Sequence, residues 1–252
     1  MPFNDYSIRV PEAILDSWIA TDEGKPVSAV AMKALLYCVS FCDGCYFQQT
    51  VVSISDLCAM FGHTRTFARS SNHSHHAAQI VSHLESITGK PLLFRKLRGT
   101  KTFSMNCILS VESDIRMDTL TVCFSEEFIR YYESGVKHSR YINMYELFSL
   151  HSNPASILYF YCIAHRYDRP TKNIPIKDLT KLLTGNPDYP YKLLKKDMIL
   201  PSLKRINEHT GWSLHLTECR NGNRVSEICF LPQEASMGSE YDDETFEEKD
   251  DD

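Results

Sequence analysis

No stretch of this 252-residue chain approaches the roughly eighteen consecutive apolar residues that a membrane-spanning helix needs. The start, Met1-Pro2-Phe3-Asn4-Asp5, lacks the basic residues and apolar run of a signal peptide. A disulfide framework is missing too. The nine cysteines are odd in number and irregularly spaced, which suits reduced thiols in a cytoplasmic protein, several of them core residues. What is present fits a globular chain able to bury real cores: 43% hydrophobic, 11% aromatic and 23% charged residues. The length allows one large domain or two of ordinary size.

Metal and cofactor chemistry find little support. His73, His75 and His76, with His63 and His83 nearby, form the densest cluster of ligand-type residues. On a helix His75 and His76 diverge, and no carboxylate or cysteine stands at a convincing ligand spacing. Cys38, Cys42 and Cys45 have the Cys-x3-Cys-x2-Cys spacing of radical S-adenosylmethionine enzymes. There the cluster loop follows a strand in a β/α barrel, whereas Cys38 and Cys42 continue an apolar helix and no strand–helix alternation follows. The expectation is therefore no metal, no cofactor and no catalytic residue.

The formal net charge of −5 is unevenly placed. Residues 234–252 hold ten acids against Lys249, a net of −9, so the remainder carries +4. The body reads as mildly basic and the end as an acidic, disordered appendage.

One design occurs twice. The segment Ile54-Ser55-Asp56-Leu57, running on to Gly62, resembles Ile176-Lys177-Asp178-Leu179, running on to Gly185. Each reads as a short helix stopped by glycine. Ile80, Leu84 and Ile87 recur as Ile199, Leu203 and Ile206, the inner face of a second helix. A hairpin follows in each copy. In the first, residues 92–97 and 103–109 flank Arg98-Gly99-Thr100-Lys101. In the second, residues 213–217 and 225–230 flank a turn built on Asn221-Gly222. A longer apolar helix precedes each set, over residues 29–41 and 155–166, the latter capped by Asn153 with Pro154 as its first helical residue. Helix, short helix, second helix and basic-tipped hairpin is the order of a winged helix. The predicted class is α+β: two tandem winged-helix domains, 1–140 and 141–233, and a disordered acidic tail, 234–252.

That order points to double-stranded DNA, because a helix fits the major groove while Lys and Arg neutralise phosphates. Residues 166–205 hold ten basic side chains against four acids. Lys192, Lys195 and Lys196 are spaced to share one side of the candidate recognition helix, with Leu193, Leu194, Ile199 and Leu203 turned inward. Arg220, Asn223 and Arg224 sit at the second wing. In the first copy Arg95, Lys96, Arg98 and Lys101 form a wing without an acid, suited to backbone contact. The first recognition segment, 64–79, supplies Arg65, Arg69, Asn72 and His73. Any single lysine among these is equally well read as part of a solvated face.

With the second copy laid out, the chain resembles the iteron-binding plasmid replication initiators, a twin winged-helix family. The resemblance is best over residues 152–232. It rests on Ser156-Ile157-Leu158-Tyr159, the Ile-x-Asp-Leu helix, and the run from Tyr191 through Lys195-Lys196, Leu200-Pro201 and Ile206-Asn207. The first half matches only in its order of elements, and the acidic tail departs from the family. The resemblance implies binding to repeats at an origin, opening of an AT-rich stretch, and recruitment of a host helicase or host initiator. It also implies a monomer–dimer equilibrium through the first domain, with repression of the initiator's own gene. Three rivals stand beside it: a twin winged-helix transcriptional regulator, a tyrosine relaxase, and a protein-only scaffold. The relaxase needs a His-apolar-His pair on a strand, which the polar stretch around His73 does not provide.

Overall fold

The computed structural model describes residues 6–42, 48–62, 71–96 and 102–234. Two helices that are apolar on nearly every side lie at its centre, α2 (Ala29–Val39) and α7 (Asn153–Ala164). A helix hydrophobic all round has to be covered on all sides, and here each is packed against the other and wrapped by its own unit. The buried side chains form one continuous core through both units.

Around α2 stand α3 (Ile54–Met60) and α4 (Ser71–Glu85), then the pair β4 (Pro91–Lys96) and β5 (Thr102–Asn106). Ser28 and Ser53 cap α2 and α3 through the N–H groups of Ala31 and Asp56. Gly62, at φ +83°, follows α3 in the left-handed conformation expected of a stop. Ile80, Leu84 and Ile87 are buried as the spacing requires. The hairpin register sets Phe94 opposite Phe103, their rings stacked at 5.0 Å, while its turn lies outside the described residues.

Around α7 the same order returns: β9 (Ile174–Pro175), α8 (Ile176–Thr184), then one helical rod and a hairpin. The rod is α9 (Tyr191–Leu194), a π-helical turn (Lys195–Ile199) and α10 (Leu200–His209). The hairpin, β10 (Trp212–Asn221) and β11 (Arg224–Glu234), takes β9 onto its β11 edge. Gly185 ends α8 at φ +76°. Two successive winged-helix units in an α+β fold are thus what the chain builds.

Several expectations need correction. The second strand of the first hairpin stops at Asn106. After Cys107, β6 (Ile108–Asp114) joins another sheet, ordered β3 (Gln49–Ser53), β7 (Thr119–Phe124), β6. The hairpin β4–β5 instead takes β2 (Ser17–Thr21) on its other edge. The repeat gives no sign of β1 (Ser7–Pro11), α1 (Glu12–Leu15), α5 (Glu126–Ser134), β8 (Ser139–Asn143) or α6 (Met144–Ser149), and β1 pairs with β8. The cap of α7 is Ser152, not Asn153. Asn221 and Arg224 are paired, so the turn residues are Gly222, at φ +60°, and Asn223.

The largest correction concerns the rod. Leu194, Ile199 and Leu203 are buried, but Leu193 is 43% exposed. Pro201 has no N–H to offer the carbonyl of Asp197, and its ring crowds that carbonyl. The backbone answers with one wider turn, in which the N–H of Leu200 bonds to Lys195 O. This turn carries Ile199 round to the side of Leu194 and leaves Leu193 facing out.

The proposed acidic tail from Glu234 onward lies outside the described residues except for Glu234 itself. No helix among the described residues is long and apolar enough to cross a membrane.

Candidate nucleic-acid interface

The rod of the second unit presents Lys192, Lys196 and Lys204 to solvent. Leu194, Ile199, Leu203 and Ile206 anchor the opposite side in the core, so the outer face has a fixed direction. Leu193 and Leu200 are also exposed on it, at 43% and 47%. Large apolar groups left on a basic surface suit contact with the C5-methyl of thymine, which lies in the major groove.

Lys195 does not share that side. Its Nζ donates to Glu218 Oε1 of β10 at 2.7 Å, and Tyr191 Oη donates to the same oxygen at 2.8 Å. Arg220 reaches Glu218 Oε2 at 3.4 Å. Glu218 therefore ties the rod to the wing. The Lys195 ammonium first, then the Tyr191 hydroxyl, hold its carboxyl below the ordinary carboxylate range. Sequence reasoning overlooks Glu218, because an acid on a basic face reads as a local reduction of charge. The available signal is its place, two residues before Arg220 in the strand that follows the rod.

Arg220, Asn223 and Arg224 are all exposed at the tip of the second wing. A shift of register between Cys219 and Arg220 adds a local bend there. In the first unit Arg95 is half-buried and Lys96 exposed, at the end of β4 nearest its turn. Arg98 and Lys101 lie outside the described residues, as do Arg65 and Arg69. Asn72 and His73 fall in the first turn of α4.

The other candidate clusters stay apart. Among the described residues no group of three His, Cys, Asp or Glu side chains is placed to hold a metal ion. His75 bonds to Gln79 one turn on, and His83 faces Ser28 Oγ at 3.1 Å. Cys38 is fully buried in α2, and burial pushes its thiol up to about 12, which suits an inert core residue. Cys45 lies outside the described residues.

Comparison with known proteins follows this geometry closely. Residues 175–231, from β9 through the second wing, match the family described as Initiator Rep protein, WH2. No curated protein matches the chain in sequence. Among solved structures, the Pi initiator protein in complex with iteron DNA is similar over 91% of this chain and 97% of its own, at a TM-score of 0.66 and 15% identity. Domains 2 and 3 of RctB are similar over 84% of each chain, at a TM-score of 0.52 and 13% identity. Residues 175–231 are thus where this chain is similar to the initiator Rep proteins, and the solved structures extend the likeness in fold to both units.

Proposed function

We propose that this chain initiates DNA replication by binding repeated double-stranded sites at an origin, one winged-helix unit to each segment of major groove. The observation that carries the reading is the rod of the family-matched domain. Its inner face is locked into the core and its outer face offers Lys192, Lys196 and two exposed leucines beside a wing bearing Arg220 and Arg224. A structure of the same fold was solved with iteron DNA, which supports the choice of ligand.

In this mechanism no covalent bond is made or broken by the protein. Binding releases counterions from the phosphates, and base-edge contacts select the site. The second unit, within 141–233, supplies most of the sequence reading. The first, within 1–140, contributes backbone contact through Arg95, Lys96, Arg98 and Lys101, and a surface for self-association. Two readers on one chain gain avidity when their separation matches the groove spacing. Opening of an adjacent AT-rich stretch, recruitment of a host helicase or host initiator, and repression of the chain's own gene are the steps this binding serves.

The test is a footprint on the DNA around the gene's own locus, repeated with Lys192 and Lys196 changed to alanine. Protection of direct repeats is expected, weakened by roughly 1–3 kcal/mol for each base-reading side chain removed. A folded double variant that binds the repeats as tightly as the wild type overturns the assignment of this face.

A further inference from the structure

The outer face of the rod and its wing is cationic and apolar at once. Lys192, Leu193, Lys196 and Leu200 of the rod and Arg220 and Arg224 of the wing are all exposed. Among the described residues Lys192, Lys196 and Arg224 form no ion pair, whereas Lys195 is drawn aside by Glu218 and Lys204 lies 3.7 Å from Glu208. Asp197 is the one acid between Tyr191 and Leu200. A surface of this kind attracts any polyanion, because attraction to phosphate-like charge carries no sequence information.

The same chain carries a polyanion. Residues 235–252 lie outside the described residues, but their composition and point of attachment are fixed. They hold nine acids against Lys249, a net of −8, with Phe246 set between Glu244 and Glu247. Acids flanking an aromatic are the chemical complement of lysines flanking two leucines. The described chain ends with Glu234 paired to Trp212 at the foot of the hairpin. Glu218, which meets Lys195 of the rod, stands six residues beyond Trp212 on β10. At ~3.4 Å per residue that is about 20 Å. The eighteen residues after Glu234 could reach about 60 Å fully extended, and a flexible chain of that length has an end-to-end distance of roughly 20–25 Å. The tether thus matches the span, the condition under which a linked segment has its highest effective concentration.

We propose that residues 235–252 dock on this rod-and-wing face of their own chain, acids on Lys192, Lys196 and Arg224 and Phe246 on the exposed leucines, and so shield it from unrelated DNA. The contact itself needs no DNA, while its consequence rests on the DNA-binding reading above. Tethering makes a weak contact effective. At an effective concentration on the order of 1 mM, a segment with an intrinsic dissociation constant of about 0.1 mM leaves the face open only about a tenth of the time. Duplex binding is then weakened about tenfold, the inverse of that open fraction. Every duplex must displace the same segment, so repeats and unrelated sequences lose the same factor and their ratio is unchanged. Unrelated DNA, held by phosphate contacts alone, is the first to fall below useful binding. Salt weakens the segment's hold on the exposed cations, so the shielding is strongest at low ionic strength.

The experiment compares the full chain with two variants, one ending at Glu234 and one of full length with all nine acids of residues 235–252 changed to their amides. Every change lies beyond β11, so the fold is kept, and circular dichroism checks it. Affinity is measured for the repeats and for unrelated duplex, from low to high salt. At low salt both variants should bind both duplexes about tenfold more tightly, and the three salt titrations should converge as salt rises. A second arm needs no DNA. The backbone amide resonances of Lys192, Leu193, Lys196 and Leu200 should differ between the full chain and the amide variant. A synthetic peptide of residues 235–252, added to the shortened chain, should shift them back. Rod amides unmoved in both comparisons overturn the docking. Shifts that vanish on dilution of the full chain place the segment on a second copy and overturn docking within one chain. Equal low-salt affinities for all three chains overturn the shielding. If none of the three binds any duplex, the DNA-binding reading fails, and the amide shifts still decide the docking.

Discussion

Asn153 Oδ1 accepts the backbone N–H of Ala29 at 3.0 Å, so the first residue of α7 caps the first residue of α2 in the other unit. The first four N–H groups of a helix have no partner within it. Ser28 satisfies that of Ala31, and Asn153 reaches across the junction for Ala29. Asn153→Ala should cost about 1 kcal/mol, the usual loss for a cap, measured by urea unfolding. Asn153→Asp should retain the stability, because a carboxylate accepts the same bond near two helix N-termini. Equal loss in both variants would mean that the amide serves by shape and not as an acceptor.

A second tie crosses the same junction. His165, at the end of α7, faces Asp16 Oδ1 through Nε2 at 3.0 Å and Asp168 Oδ2 through Nδ1 at 2.8 Å. Asp16 belongs to the first unit and is buried. Removing the imidazole with His165→Ala leaves that carboxylate in the core without its partner, a change that costs about 3–5 kcal/mol for a buried pair. Unfolding of the variant should separate into two transitions, one for each unit. A single cooperative transition shifted by less than about 1 kcal/mol would show that the junction does not depend on this bond.

The repeated design was legible because its signals are local. Glycines after α3 and α8 end each helix in the left-handed region, and Ile80, Leu84 and Ile87 report the inner face by spacing alone. What escaped depends on distant partners. β3 and β9 precede equivalent helices, yet β9 joins its own wing while β3 pairs with β7, some seventy residues on. No periodicity within residues 49–53 distinguishes those outcomes. The face of the rod was half legible. Lys192 and Lys196 point outward as expected, but the wider turn before Pro201 moves Leu193 out, and Glu218 draws Lys195 aside. A helical count assumes an unbroken helix, and one proline breaks it.

Arg95 and Lys96 test the first wing. They lie in β4 close to its turn, with Leu92 and Phe94 alternating inward between them and the core. Changing both to glutamine should weaken binding to all duplex sequences alike. The slope of log affinity against log salt should flatten by about one unit for each phosphate no longer neutralised. Parallel salt titrations of wild type and variant would remove this strand from the interface.

Glu218 is the sharper test of how the rod is aimed. Its carboxylate receives Lys195 and Tyr191 from the rod and Arg220 from the wing, so one acid sets the spacing between rod and wing. In Glu218→Gln the amide can still accept from Tyr191, but the charge that holds Lys195 and Arg220 is gone. Those two cations are then free to meet any phosphate, and one negative charge has left the surface. Affinity for unrelated duplex should stay level or rise, while affinity for the true repeats falls, because the base-reading side chains lose their fixed register. The ratio of the two is the quantity to measure, and an unchanged ratio would leave Glu218 as an ordinary surface acid. The pH dependence gives a second check on this tie. Lys195 and Tyr191 lower the folded value of Glu218, so its contribution is complete above the unfolded carboxylate range and is lost only as pH falls through the folded value. Between pH 6 and 8 the loss of specificity in Glu218→Gln should therefore be constant. Any slope that remains in that window belongs to groups that titrate there, and the variant should show the same slope as the wild type.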